Sequence, residues 1–139
     1  MKKLGLIFLA ICLIFALVAC SGGISLETGR ELTAQFCAAI SEGDYETAAT
    51  LFHPAVGTDA QKLEEFHSAL SERVGAAQSV TITIERYNSF ENMMYTSDVG
   101  GARLTLGGEA LVGTEDADLS VVIVDNEQGY GIYSIHFDP

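Results

Sequence analysis

The spacing of apolar residues changes near Gly75, and this change most constrains the fold. Before Gly75, apolar residues recur every three or four positions, as on one face of amphipathic helices. After it, Val80, Ile82 and Ile84 alternate with polar residues, as in a strand with one solvent-facing side. A run of helices followed by a run of strands predicts an α+β fold, with about three helices packed on a curved four-stranded antiparallel sheet.

Capping signals set the expected helix boundaries. The pattern Thr28-x-x-Glu31 is a capping box and predicts the start of the first helix. Asp44 is expected to cap the second helix, and Thr58-x-x-Gln61 predicts the start of the third. The residues expected to end the three helices are Gly43, Pro54 and Gly75.

Four strands are expected after the helices. Residues 88–100 are expected to form a loop because they are rich in Asn, Ser, Asp and Gly; the alternative left open is that Phe90, Met93, Met94 and Tyr95 pack or line a cavity. Gly107-Gly108 lies inside the second strand pattern, where it indicates a bulge or a tight hairpin turn. A bulge is preferred, because a hairpin would leave two very short arms. The expected strands cover residues 80–85, 103–112, 119–124 and 130–137.

The last strand carries apolar residues on both sides. Strict alternation places Ile132 on one face and Tyr133, Ile135 and Phe137 on the other. Since helices can cover only one face, the second face needs another cover. One hypothesis is a homodimer packed sheet to sheet through Tyr133, Ile135 and Phe137, and the alternative is a bent sheet that folds partly over itself.

The N-terminus combines two basic residues with an apolar run. Lys2 and Lys3 precede the 16 residues of the run 4–19, which is short for a membrane span of about 20 residues. The run ends in Leu17-Val18-Ala19-Cys20, which resembles the lipobox of bacterial lipoproteins. The resemblance implies cleavage before Cys20 and lipid attachment to that cysteine. The alternative is an uncleaved membrane helix that happens to end in cysteine.

This resemblance sets the expected domain boundaries and location. Residues 1–19 would be a cleaved signal peptide, residues 20–26 the lipidated cysteine with a short tether, and residues 27–139 one domain. The protein is accordingly expected in the bacterial cell envelope, outside the cytoplasm and anchored to a membrane by lipid.

Net charge limits the partners. The formal charge is −12, and loss of Lys2 and Lys3 with the signal would leave five basic against 19 acidic residues, a charge of −14. Such a polyanion does not favour nucleic acid, whose binding requires phosphate-neutralising Lys and Arg. It also disfavours electrostatic docking on anionic lipid, so the acyl chains are expected to hold the protein.

The three cysteines have separate expected fates. Cys12 lies in the signal, Cys20 carries the lipid, and Cys37 is left without an internal disulfide partner. Cys37 lies between Phe36 and Ala38 on the expected first helix, which favours a buried, inert thiol over a nucleophile.

Two stretches resemble the nuclear transport factor 2-like superfamily, a cystatin-like α+β cone. The first runs from Ala38 through Gly43-Asp44-Tyr45-Glu46 to Phe52-His53-Pro54. The second, residues 129–137, resembles the closing strand of that family, with Tyr130 where Trp is common and Gly131 where Lys is common. The resemblance implies a cone that either encloses a ligand pocket or serves as an interaction module.

Candidate pocket residues are the ionisable side chains that such a cone could enclose. The position of His53 before Pro54 favours interaction with a helix end or plain exposure, His67 is expected at a boundary position, and His136 is expected to face solvent. Asp98 is most simply a turn residue. No catalytic set can be assembled from the sequence. The side chains expected to line a pocket are therefore Tyr45, His53, His67 and Tyr95.

Metal and cofactor motifs are not found. The three histidines lack zinc spacing, and Glu115, Asp116 and Asp118 are expected in a solvated acidic turn. No cofactor is expected.

The favoured function is a non-enzymatic binding module for a small apolar ligand or an envelope protein; the alternative is a cofactor-free isomerase or lyase working in the cone. An inward-facing acid or base in a cavity would favour the enzyme, whereas a cone filled by Phe36, Phe52, Phe66 and Leu70 would not.

Overall fold

A computed structural model describes residues 24–94 and 99–139 of the chain, and these form an α+β structure. The helices and the four-stranded antiparallel sheet confirm the predicted class. The helical elements are α1 (Leu26–Glu42), α2 (Tyr45–Thr50), a 3₁₀ turn (Pro54–Val56) and α3 (Ala60–Arg73). The strands are β1 (Ile82–Met94), β2 (Ala102–Val112), β3 (Glu115–Asn126) and β4 (Gly129–Asp138).

Two of the three predicted helix starts are wrong, the first by three residues and the third by one. Ser25 caps α1, its hydroxyl accepting from the N–H of Thr28 at 3.1 Å, so Thr28 lies in the first turn. Asp59, and not Thr58, caps α3 by accepting from the N–H of Lys62 at 2.9 Å. In both helices the N-cap is a polar residue close to the predicted one, because its side chain accepts from an otherwise unpaired N–H of the first turn.

The junction between α1 and α2 agrees with prediction. Gly43 ends α1 with a φ of 75°, a left-handed conformation that glycine adopts without steric cost. Asp44 then caps α2, accepting from the N–H of Thr47. The predicted end of α2 is wrong, because the helix stops at Thr50, and Pro54 instead begins the 3₁₀ turn.

The four strands form a meander in the order β1-β2-β3-β4, with every neighbouring pair antiparallel. The predicted loop at residues 88–100 is wrong for its first half, since β1 continues to Met94 and pairs with β2 as far as Ala102. The Asn, Ser and Glu residues here are exposed. Polar residues are tolerated because β1 lies at the edge of the sheet.

Gly107 and Gly108 lie inside the continuous strand β2, so the hairpin alternative is wrong. The irregularity is instead in β1, whose register shifts between Ile84 and Arg86 and again between Tyr87 and Ser89. A Cβ on Gly108 would collide with the carbonyl oxygen of Arg86. Because glycine has no side chain, Gly107 and Gly108 leave room for the bulged part of β1, which approaches β2 closely at this point.

A register shift in β4 corrects the expected sidedness of the last strand. Val122 pairs with Ser134 and Ile123 with Ile132, which leaves Tyr133 as an extra residue. After this bulge, Ile135 and Phe137 lie on the same face as Ile132 and pack on the core. Of the three residues expected to form a sheet-to-sheet dimer, only Tyr133 is on the open face.

Helix α1 lies closely against the sheet at Gly29. A Cβ at this position would collide with a terminal methyl of Leu104 and lie 3.3 Å from Leu106 and 3.4 Å from Ile123. Glycine therefore allows the helix to approach the central strands. The sheet residues that form the buried face beneath the helices include Ala102, Leu104, Leu106, Ala110, Val112, Ala117, Leu119, Val121, Ile123, Ile132 and Phe137.

The outer edge of β4 is covered by the segment that follows α2. Phe52 forms a parallel bridge with Ile132, whose N–H donates to the Leu51 carbonyl and whose carbonyl accepts from the N–H of His53, both at 2.9 Å. This backbone lies so close that a Cβ on Gly131 would meet it. The two edges of the sheet thus differ, because β4 has a backbone partner and β1 is the other edge.

Candidate functional site

Aromatic rings fill the space between the helices and the sheet. Phe36 is completely buried, with its ring 5.6 Å from Phe52 in an edge-to-face arrangement and 6.4 Å from Phe66. Phe66 in turn lies 6.3 Å from Phe137 on β4. Leu70 is buried beside them. The set of residues expected to fill the cone therefore packs together in the core, at separations typical of stabilising aromatic pairs.

Tyr45 and His67 contact each other, as two of the four pocket candidates. The Nε2 of His67 lies 2.7 Å from the carbonyl oxygen of Val80, which can only accept, so Nε2 donates. In the neutral ring, Nδ1 is then the acceptor for the Tyr45 hydroxyl at 2.8 Å. Burial, followed by the carboxylate of Glu64, raises the pKa of Tyr45 above its ordinary 10.0 and keeps this hydroxyl protonated.

The Tyr45–His67 pair connects three elements. It joins α2 and α3 to the chain just before β1, where Ser71 adds a second link by accepting from the N–H of Val80 at 3.3 Å. His67 is 1% exposed, which contradicts its expected boundary position. Both ring nitrogens have partners within the protein. The arrangement satisfies a buried polar side chain and fixes the start of the sheet.

His53 is also buried, at 1% exposure, so the expected exposure or helix-end interaction is wrong. Its Nδ1 accepts from the N–H of Ala55 at 3.1 Å, and its Nε2 therefore donates to the side-chain oxygen of Asn126 at 2.8 Å. Asn126 also accepts from the N–H of Gln128 and donates to the carbonyl of Val99 at 2.8 Å. His53 thus fastens the 3₁₀ turn to the β3–β4 turn.

The remaining candidates do not add to a catalytic group. Tyr95 and Asp98 lie outside the described residues, as does Cys20. His136 is exposed on β4, as expected. Cys37 is 3% exposed, which confirms its predicted burial, and burial raises the pKa of its thiol from an ordinary 9.0 to about 12, which disfavours the reactive thiolate.

The acidic residues expected in a turn belong to β3. Glu115, Asp116 and Asp118 lie within that strand, and Asp116 and Asp118 line an open cleft of about 480 Å³ together with Glu109 and Asp138. Within residues 24–94 and 99–139, no cluster of three or more His, Cys, Asp or Glu side chains has a metal-binding arrangement. Glu109 instead forms an ion pair with Arg86 at 2.7 Å, which lowers the pKa of this carboxyl.

The open face of the sheet carries a small cleft of about 260 Å³. Val124 is completely buried there, although it lies on the side away from the core cluster. Tyr133, at the β4 bulge, is 38% exposed and contacts the ring of His53 at 6.0 Å between centroids. The cleft is lined by Val99, Arg103, Val122, Val124, Tyr133 and Ser134.

Sequence reasoning missed two features. Asn126 was expected only in a turn, yet it connects His53 to Val99. The second feature is that residues 90–94 belong to β1 with Phe90, Met93 and Met94 exposed. The alternative that these three side chains pack or line a cavity is therefore wrong. The sequence signal against a plain loop is that three large apolar residues within five positions are unusual in a solvated loop.

Comparisons with known proteins give no assignment: no family model, no curated protein and no solved structure matches the chain. The described residues also contain no helix with the length and hydropathy needed to cross a bilayer.

Proposed function

We propose that the protein is a lipid-anchored, non-enzymatic interaction module of the bacterial cell envelope, held outside the cytoplasm by acyl chains on Cys20. The observation that carries this proposal is Leu17-Val18-Ala19-Cys20 at the end of a 16-residue apolar run that follows two lysines. Two or more acyl chains give stable membrane anchoring, at about 0.8 kcal/mol per buried methylene.

The position of Ile24 supports this proposal. Ile24 is 1% exposed and belongs to the core, although it lies only four residues after Cys20. At a maximum of about 3.6 Å per residue, those two residues are at most about 14 Å apart. The folded body would therefore work within one short tether of the membrane surface.

A binding role is supported by what occupies the core. Phe36, Phe52 and Phe66 fill the space that a substrate would need, and the ring nitrogens of His53 and His67 have hydrogen-bond partners within the protein. The open face of the sheet is then the surface for a small apolar ligand or an envelope protein. Its cleft presents half-buried Val122 and the exposed ring of Tyr133.

The finer fold assignment belongs to the same proposal. We assign the domain to a nuclear transport factor 2-like cone because helices precede a bulged antiparallel meander and α1 packs across its central strands. The bulges in β1 and β4 support this assignment, since bulges increase strand twist and bend a sheet.

The anchor is tested by Cys20→Ser in the bacterial host. We expect the wild-type protein in the membrane fraction, with acyl chains on Cys20 by mass spectrometry of the N-terminal peptide. The Cys20→Ser protein should lack the acyl mass and lose membrane retention. Cys37→Ser is the matched control and should remain acylated and membrane-bound. A Cys20→Ser protein that stays with membranes as fully as wild type would refute the lipid anchor.

Binding at the open face is tested on purified wild-type protein and the Tyr133→Ala variant. Organic extracts of both are compared by mass spectrometry for co-purified apolar compounds, and envelope cross-linking is compared for bound proteins. A ligand or cross-link present in wild type and reduced in Tyr133→Ala supports the open face. A ligand retained equally by Tyr133→Ala but lost in His67→Leu would place binding in the interior instead.

A further inference from the structure

Three large apolar side chains are exposed together at the end of β1. Phe90, Met93 and Met94 are 63%, 44% and 49% exposed, and we name them the β1 patch. They wrap around the sheet edge. Phe90 and Met94 pair with Leu106 and Ala102 of the buried face, whereas Met93 pairs with Arg103 of the open face. An approach along the sheet edge would therefore contact all three side chains.

The β1 patch lies beside the point where the chain leads to Cys20. Asn92 lies between Phe90 and Met93 of the β1 patch, and its Nδ2 donates to the carbonyl oxygen of Ile24 at 3.0 Å. Ile24 is buried in the core, so this hydrogen bond holds the end of β1 beside the first described residue. A lipid on Cys20 would be attached four residues before Ile24, a chain length of at most about 14 Å from this end of β1.

We propose that the β1 patch inserts into the interfacial region of the lipid bilayer and sets the orientation of the domain on the membrane. This inference rests on the proposed anchoring at Cys20. A peripheral surface binds the interface through buried apolar area plus any attraction to charged lipid. The expected mature charge of −14 and the exposed Glu91 disfavour attraction to anionic lipid, so burial of apolar area is the favourable contribution to membrane binding. A bilayer of zwitterionic lipid is therefore the surface that the β1 patch fits.

A second copy of the chain fits this edge less well. Edge strands pair with another chain when they are long, flat and regular, whereas the regular part of β1 is limited to residues 89–94 by register shifts around Glu85 and Asn88. Two strongly acidic copies would also repel each other. Methionine and phenylalanine suit a fluid apolar layer, because the flexible thioether adapts to irregular surroundings.

The composition provides a direct test, since the chain contains no tryptophan. Phe90→Trp places a single fluorescent reporter in the patch. Gln78→Trp is the matched control in the exposed loop before β1, and Phe90 lies a further eight residues along the strand from Ile82, about 26 Å at 3.3 Å per residue. Each full chain is expressed in the bacterial host, purified and reconstituted into phosphatidylcholine vesicles, with or without brominated acyl chains that quench tryptophan on contact.

We expect the emission of Phe90→Trp to move to shorter wavelength in vesicles and to be quenched several-fold more strongly than that of Gln78→Trp. Adding Met93→Glu and Met94→Glu to Phe90→Trp should reverse both effects. If Phe90→Trp fails to fold by circular dichroism, Met94→Trp replaces it with the same expectation.

Two results would overturn the inference for vesicle-bound protein: an unquenched reporter at the patch, and equal quenching at both positions. An unquenched reporter that is blue-shifted in a chain that cross-links as a dimer would assign the patch to a second copy. Failure of the anchor is recognised separately, because the protein then remains soluble and residue 20 carries no acyl mass. An acylated, vesicle-bound chain with an unquenched patch reporter refutes only the docking.

Discussion

Replacing Phe36 with alanine tests whether the interior is a packed core or a ligand pocket. Phe36 is completely buried and its ring contacts Phe52 and Phe66. Loss of a fully buried phenylalanine side chain costs about 3–5 kcal/mol, because a cavity remains in addition to the lost transfer free energy. The free energy of unfolding of a domain of this size is about 5–15 kcal/mol, so Phe36→Ala would remove a large part of the stability.

The assay is urea unfolding of the chain without residues 1–19 and with Cys20→Ser, followed by far-ultraviolet circular dichroism. Phe90→Ala is the matched control, because the same atoms are removed at a position that is 63% exposed. We expect that variant to lose less than about 1 kcal/mol, the span of strand propensities. Phe36→Leu keeps most of the volume and serves if Phe36→Ala does not fold. Equal losses for Phe36→Ala and Phe90→Ala would refute the packed core.

Three further predictions follow from single contacts. Cys37 should resist alkylation in native protein and react after unfolding. Because burial raises the pKa of its thiol, its contribution to the free energy of unfolding is complete below pH 9 and is lost as pH rises toward about 12. In pH-dependent urea unfolding, wild type should therefore lose more stability than Cys37→Ala across that range. Gly29→Val should lower the thermal midpoint, because new side-chain atoms would overlap Leu104 in a core where overpacking costs about 1–3 kcal/mol; a raised midpoint would contradict the close approach. Asn126→Ala should lower the free energy of unfolding by about 1–3 kcal/mol by leaving the buried N–H of His53 without its acceptor, and unchanged urea unfolding would contradict that bond.

The α+β class was predictable because hydrophobic period is a local property. The change from helical to alternating spacing near Gly75 coincides with the end of α3 and precedes β1. Helix starts were less predictable, because Ser25 and Asp59 stand close to other residues able to cap. A capping motif identifies the first turn but not the residue whose backbone leaves the helix.

The surroundings of the histidines could not be predicted, because their partners are distant in sequence. His53 is bonded to Asn126, 73 residues away, and His67 to Tyr45, 22 residues away. Such contacts depend on how the helices and the sheet meet, which periodicity does not encode. The extent of β1 was missed for a different reason, since polar residues on an edge strand have the composition of a loop.

The extra residue at Tyr133 divides β4 into two segments in which the alternation of inward-facing and outward-facing residues is shifted by one position. Upstream and downstream of it, inward-facing residues occupy opposite parities, Ile132 being even and Ile135 and Phe137 odd. Deleting one residue at Tyr133 would leave a regular strand with every downstream side chain on its present face. Deleting one residue between Ile135 and Phe137 would turn Phe137 out of the core. Tolerance to deletion should therefore peak sharply at Tyr133, a pattern that a systematic deletion scan would reveal.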